Sequence, residues 1–365
     1  MLCFCAILYI GGENILFLFF SFLQNKIEIY IAITLKEILL YTYIAMDAKH
    51  IYTECVDTRG LEYLYQMPLI MFAEYYDGYK KDLHGEFKKT YNFASTMIRQ
   101  KANQMAIPYK YAGAKTYGRL YAKGGLQSLQ KHFRGLLCRT LTTDIDLVNA
   151  HPRILEFVCK KHEIACPNLT YYNANRNAVL QTVMESDDID KGKAKEKFLI
   201  ATNNNKKLYG TKCSLLKDYD KEMKRIQCEL LLVDEYARMV DDAKRTNLAG
   251  SSINLILCKY ENEILQHMVE FLSGRSIEIC TLMFDGVMVY GNLYEDHQLL
   301  RDVESFLKDK WDFDFLLDYK EHSTLIQVPT DFEAKPLAPD YEVFKHKFEE
   351  THLKVGGVYV KETLD

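Results

Sequence analysis

The chain has 365 residues, 48% of them apolar and 26% charged, with a formal net charge of −4. That is enough core-forming material for one large domain or two modest ones. The slight acidity argues against a chain that binds nucleic acid over its whole surface, and the ten scattered cysteines, none in a Cys-x-x-Cys pair, exclude a zinc ribbon or a thioredoxin-type centre. A reduced intracellular protein without disulfides is expected.

Residues 14–25 are apolar and uncharged around Ile15-Leu-Phe-Leu-Phe-Phe, shorter than the roughly 20 residues of a membrane helix. No basic cluster precedes them and no cleavage site follows clearly, which argues against a signal peptide. Ile27, Ile29, Ile31, Ile33 and Leu35 alternate as in a strand. Met46 then opens a polar sequence, so 1–45 reads as a gene-model extension, with a buried hairpin or a membrane anchor as alternatives. Residues 46–110 read as a mostly helical N-terminal region.

The basic stretch comes next. Between Phe87 and Thr143 there is no Asp or Glu but eleven Lys or Arg, among them Arg119, Lys123 and Arg134. Tyrosines and glutamines lie between them. Such a segment presents a positive surface to an anionic partner, for which a polyphosphate backbone is the common choice. A solvated basic face is the alternative.

A strand is expected over about 140–147, carrying Asp144 and Asp146. Pro152 then marks a first helical turn, with Asn149 or His151 near the cap. Ile154, Leu155, Val158 and Cys159 form its apolar stripe. A lysine-rich helix starts near Lys191 and runs into Tyr209-Gly210. Further helices are expected near 222–243 and 255–272. Apolar runs on both sides of Asp285-Gly286 predict a hairpin, and in the C-terminal tail, 336–365, Pro336 and Pro339 mark a loop before a final helical stretch.

Asp144 and Asp146 are two apart on a strand and so share one face. Asp285 stands at a hairpin tip between apolar strands, where turn propensity alone also explains an Asp-Gly pair, as a type I′ turn. Carboxylates on adjacent strands can hold a pair of Mg²⁺ ions about 3.5–4 Å apart for phosphoryl transfer, and Mg²⁺ takes few carboxylates plus phosphate oxygens.

Four blocks between residues 110 and 292 together resemble family A DNA polymerases, whose palm is shared by single-subunit phage RNA polymerases. Thr116-Tyr-Gly118-Arg119-Leu120 with Leu126-Gln127-Ser-Leu129-Gln130 resembles the family's duplex-contacting segment. Asp146-Leu-Val-Asn-Ala-His151-Pro-Arg153-Ile-Leu155 is similar to its first catalytic motif. Lys191-Gly-Lys-Ala194-Lys195-Glu-Lys-Phe198, ahead of Tyr209-Gly210, resembles its nucleotide-binding fingers helix. Leu282-Met-Phe284-Asp285-Gly286-Val287 stands where the family has His-Asp-Glu-Val.

The resemblance implies an α+β fold: a right-hand palm (111–155 and 251–335), a small antiparallel sheet with packed helices, and a helical fingers-like insertion (156–250). It implies a template-directed DNA polymerase that extends a primer 3′-hydroxyl with two Mg²⁺ ions, Mn²⁺ being a substitute. Asp146 and Asp285 would be the catalytic metal ligands. Asp144 competes for the first place, because the double Asp leaves the register open. Lys195 would bind the triphosphate, with Lys191, His151 and Tyr209 at the nucleotide; Lys193 and Lys197 compete for the same role. Arg119, Gln127, Arg134, Lys123 and Glu261 would meet nucleic acid, although Glu261 also reads as an exposed helix residue. Implied partners are a DNA primer–template, deoxynucleoside triphosphates and a replication helicase. The chain departs from the family at Phe284 (a His there), Gly286 (a Glu) and His151 (the Glu that crowds the sugar 2′ position). The N-terminal region is too short for a proofreading exonuclease, and the compact size suggests a mobile-element or virus-like source. The rivals are a single-subunit RNA polymerase or primase-like enzyme, and a palm-like nucleic-acid-binding protein without catalysis.

Overall fold

The computed structural model describes residues 50–76, 82–99, 104–113 and 115–334, and the backbone of 352–355 and 358–361. The expected extension at 1–45 lies outside the described residues. Among the described residues no helix is long and apolar enough to cross a membrane, and the eight described cysteines are free thiols. The elements below belong to one compact unit, Tyr52–Asp365, with the first strand beginning at its boundary.

Strand β1 (Ile51–Cys55) leads to helices α1 (Thr58–Gln66), α2 (Leu69–Tyr75) and α3 (Leu83–Arg99), then β2 (Gln104–Tyr111), β3 (Leu120–Ala122) and α4 (Lys131–Cys138). The N-terminal region is therefore helical as expected, but β1 and β2 flank the helices and join β3 in a three-stranded sheet, order β1-β2-β3. Strand β4 (Thr142–Leu147) is followed by a run of helices: α5 (Ala150–Lys161), α6 (Pro167–Ala174), α7 (Arg176–Asp187), α8 (Lys191–Asn203), α9 (Ser214–Leu230), α10 (Ala237–Asp241) and α11 (Leu248–Gly274). The helix expected over 222–243 is thus two, α9 and α10, and α8 stops six residues before Tyr209. The hairpin β5 (Ile279–Leu282) and β6 (Gly286–Tyr290), α12 (His297–Trp311) and β7 (Leu317–Lys320) complete the main body. In place of a helical tail, β8 (His352–Val355) and β9 (Val358–Lys361) pair antiparallel.

The second sheet positions the site. Its order is β5-β6-β4-β7, antiparallel throughout. Strand β4 is central, and its alternation separates two environments. Ile145 and Leu147 enter a core with Val287 and Val289 of β6, the α5 stripe Ile154, Leu155 and Val158, and α11 residues such as Ile264, Leu265, Met268 and Leu272. The opposite face carries Asp144 and Asp146. Cys280 and Met288, also on that face, pack into a second core with Phe133 and Leu137 of α4 and Phe72 and Phe87 of α2 and α3. That N-terminal cluster closes the lower end of the face. The end bearing Asp146 stays open.

Candidate active site

Asp146 pairs in register with Gly286 of β6 on one side and Asp318 of β7 on the other, so Asp146 and Asp318 project side by side. Glycine at 286 is required here. A Cβ would stand 2.6 Å from the Ile145 carbonyl oxygen and 2.8 Å from Asp146 Oδ1. The glutamate that the family carries at this position has no room, so the departure read from the sequence follows from the close approach of β6 to Asp146.

The turn between β5 and β6 is closed by Met283 N–H donating to the Gly286 carbonyl at 2.8 Å. Phe284 has φ 65°, whereas Asp285 and Gly286 have negative φ. A type I′ turn needs positive φ at both central residues, so the alternative of a plain Asp-Gly turn does not describe it. Positive φ at a bulky aromatic is uncommon and strained. The Phe284 ring lies edge-on to Tyr121, centroids 5.7 Å apart, and beneath the Arg119 guanidinium at 4.9 Å. These contacts hold the turn that aims Asp285.

Asp146 and Asp285 line one cleft of about 810 Å³ together with Arg119, His151, Arg176, Lys195, Asn254, Glu261, Asp318 and Lys320. Three groups of charge meet there. The first is acidic. Burial and the neighbouring charges of Asp146 and Glu261 push Asp285 up to about 6, with Lys320 pulling the other way. Asp144 lies deeper, 5% exposed, with Oδ1 buried and unpartnered among the described residues. Burial, then the charge of Asp146, push it up to about 7 against Lys320 and Arg134. Asp144 does not line the cleft; Asp146 does.

The second group is basic and comes from the helical run. Lys195, Leu199 and Asn203 lie four apart on α8 and all line the cleft, as helical spacing demands. The other α8 lysines are placed differently. Lys193 pairs with Asp190 at 3.6 Å and Lys197 with Asp187 at 2.7 Å, while Lys191 is exposed and lines no part of the cleft. Arg176, at the start of α7, was not singled out in the sequence. Among the described residues neither Arg176 nor Lys195 has a salt-bridge partner. Burial and the like charges of Arg176 and Lys191 lower the Lys195 pKa. Two cations that line a cleft without a carboxylate partner among the described residues suit an anionic ligand.

The third group is the buried set Arg119, Glu261 and His151. Glu261, on α11, is fully buried rather than exposed. Its carboxylate accepts from Arg119 Nη2 at 2.8 Å and from Arg119 Nε, and approaches His151 Nε2 at 3.2 Å. Burial raises the carboxyl pKa, but hydrogen bonds from Arg119 and His151 outweigh it and lower the net value. Burial would lower His151, yet hydrogen bonds to Cys258 and Glu261 and the Glu261 charge hold it up at about 9. His151, Cys258 and Glu261 have the spacing of a metal cluster. The bidentate Arg119 and a protonated imidazole nevertheless leave it no free ligand pair.

A pH dependence follows from this set. His151 titrates near 9 when folded and near 6.5 when unfolded. Its protonation thus stabilises the fold fully below about 6.5, and the contribution is lost as pH rises through about 9. Urea melts of the metal-free protein between pH 6.5 and 9.5 are expected to show stability falling by up to roughly 3 kcal/mol, and His151→Gln is expected to remove most of that slope.

The remaining residues expected to touch nucleic acid lie elsewhere. Gln127 is buried: its amide donates to the Leu120 and Leu282 carbonyls at 3.0 and 2.9 Å and its oxygen accepts from Ala122 N–H at 2.9 Å. It ties β3 to the hairpin, buried and with both amide donors spent, a structural role in place of the contact read from the sequence. Arg134 donates to the Leu129 carbonyl at 2.8 Å and acts on Asp144 from below the sheet. Lys123 lines a separate groove of about 490 Å³ with Lys88 and Lys89. Tyr209 is 79% exposed and lies outside the cleft. Besides Arg176, the reading of the sequence missed Lys320, on edge strand β7, whose ammonium contacts Asp146 Oδ2 at 2.9 Å.

No protein-family model matches the chain. Among curated proteins it is similar to "Putative helicase V13" of Sputnik virophage, 29% identical over 228 residues, which is 58% of this chain. The chain spans only 29% of that relative's length. Among solved structures it is similar to the POL domain of Pol1 from M. smegmatis, described in complex with DNA primer-template and dNTP. That match has 11% identity and a TM-score of 0.46, covering 66% of this chain and 52% of that one.

Proposed function

We propose that the cleft is the centre of a template-directed DNA polymerase, a nucleotidyltransferase that joins a primer 3′-hydroxyl to the α-phosphate of a deoxynucleoside triphosphate. One observation carries this reading: Asp146 and Asp285, on adjacent strand ends, line a single cleft with Arg176 and Lys195, which have no carboxylate partner among the described residues. Carboxylates on one wall and cations on the other suit a substrate that is a polyphosphate bound with divalent metal.

The donor set fits Mg²⁺. It offers oxygen only, its carboxylates repel one another, and a lysine already stands at Asp146. Asp146 and Asp285 would hold the ions, which supply charge neutralisation and a more acidic primer hydroxyl. Lys195 and Arg176 bind the triphosphate tail and neutralise charge that grows on the departing pyrophosphate. Arg119 is positioned by Glu261 and Phe284 at the mouth of the hairpin, where it can meet the primer end. The groove at Lys88, Lys89 and Lys123 accepts phosphate backbone, giving binding that weakens with salt and ignores sequence.

Primer extension by the full chain with Mg²⁺, offered dNTPs and rNTPs in separate reactions, tests the reading. The dNTP preference decides between DNA synthesis and an RNA polymerase or primase-like activity. A folded protein that binds primed template and extends neither would leave a non-catalytic binding protein. Within an active enzyme, Lys195→Ala and Arg176→Ala are each expected to raise the nucleotide KM about tenfold or more. An unchanged KM in single-nucleotide kinetics would remove that residue from the triphosphate site.

A further inference from the structure

Lys320 stands beside the carboxylates, on a different element from the cations of the helical run. It ends β7, the edge strand of the four-stranded sheet. In register it faces Asp144, so it stands diagonal to Asp146, a distance that a lysine stem spans. Its Nζ lies 2.9 Å from Asp146 Oδ2, with the Lys320 side chain 57% exposed and that of Asp146 22% exposed. The stem thus comes from solvent and only the ammonium enters the acidic wall. Asp144, Asp146 and Asp285 all act on that ammonium. The compact point charge has three donors and needs no fixed orientation.

Resting on the nucleotidyltransferase reading, we propose that Lys320 is the resident counter-ion of the carboxylate pair, and that a divalent metal displaces it from Asp146. The contact geometry makes the two cations rivals. Lys320 already occupies one of the two Asp146 oxygens, Oδ2, while Oδ1 lies toward β6 at Gly286. A divalent ion bound to the Asp146 carboxylate would stand within a few ångströms of the ammonium and repel it. Exposure of the lysine lets it swing out into solvent without unpacking anything. Before metal arrives it offsets carboxylate repulsion in the folded protein; afterwards it is free to face the incoming polyphosphate.

The test is Mn²⁺ binding to the metal-free full chain, read from the EPR signal of free Mn²⁺ and so independent of turnover. Lys320→Met is expected to tighten Mn²⁺ binding on the order of fivefold, while Lys320→Arg stays near the parent. The Met variant is also expected to melt lower than the parent without metal and to recover the difference at saturating Mn²⁺. If the parent binds Mn²⁺ in a manner that Asp285→Asn abolishes, and Lys320→Met binds it equally or more weakly, the counter-ion role fails while the metal centre stands. If the parent shows no Mn²⁺ site that depends on Asp285, the metal centre and the counter-ion role fall together.

Discussion

Asp285→Asn is expected to lower primer extension about 10³-fold or more, with a protein that is at least as stable as the parent. The two halves of this expectation have one cause. Asp285 is forced into a half-buried turn beside Asp146 and Glu261, and its carboxyl is pushed up to about 6. In the unfolded chain the group titrates near 3.9. A folded pKa above the unfolded one means that ionisation favours unfolding. Without divalent metal, the parent therefore loses stability as pH rises from about 4 through about 6, on the order of 1–3 kcal/mol. Asparagine keeps the shape and removes the charge, so the variant is expected to lack that decline in denaturant melts at pH 5 and pH 8. The strained Phe284 and the crowded Gly286 would remain as they are, since neither depends on the charge of residue 285. An Asp285→Asn enzyme that extends primers within about tenfold of the parent rate would remove Asp285 from the chemistry.

That cost in stability helps explain why the sequence disclosed this part of the molecule so readily. An acidic residue between two apolar strands is incongruous, and the incongruity can be read without coordinates. Strand β4 with Asp144 and Asp146, the Pro152 start of α5, the lysine helix α8 and the apolar stripe of α11 were legible for similar reasons. Each is a local period with a local punctuation mark. What stayed hidden depends on register and on long-range pairing. Choosing Asp146 over Asp144 as the cleft residue requires knowing where the N-terminal helices cap the sheet face. Arg176 is one arginine in a helix with no motif of its own. Lys320 matters only because β7 pairs with β4 so that it falls diagonal to Asp146. Strand β2 carries Pro108 in its middle, which weakens a strand signal, and it fell within the region read as mostly helical. Gln127 looked like a surface amide because its partners, Leu120 and Leu282, lie 7 and 155 residues away. On α11, Asn254, Cys258 and Glu261 fall on one side of the helix at helical spacing. The sequence shows Glu261 as one polar helix residue, but not its partner Arg119, 142 residues earlier.

That partner pair gives the largest expected effect on folding. Glu261→Ala leaves Arg119 and His151, with side chains 28% and 13% exposed, without their shared carboxylate. Removing one member of a buried ion pair typically costs about 3–5 kcal/mol, because the charge left behind must be desolvated with nothing to offset it. Arg119 can turn partly toward water, so the lower end, about 3 kcal/mol, is expected, with a fall in Tm of roughly 5–10 °C. His151 would lose its main anionic support and return toward the neutral form, taking the alkaline stability slope with it. The damage would not stop at the triad. Arg119 lies over the Phe284 ring, and Phe284 holds the turn that aims Asp285, so loss of Glu261 is expected to slow extension as well as to weaken the fold. A double-mutant cycle separates the two effects: Glu261→Ala with Arg119→Leu should cost clearly less stability than the sum of the single changes. Extension should not recover in the double variant, since the arginine at the hairpin is still missing. Additive stability losses, or a Glu261→Ala cost under about 1 kcal/mol, would mean that the pair is screened by water and that Arg119 is held by its contact with Phe284 alone.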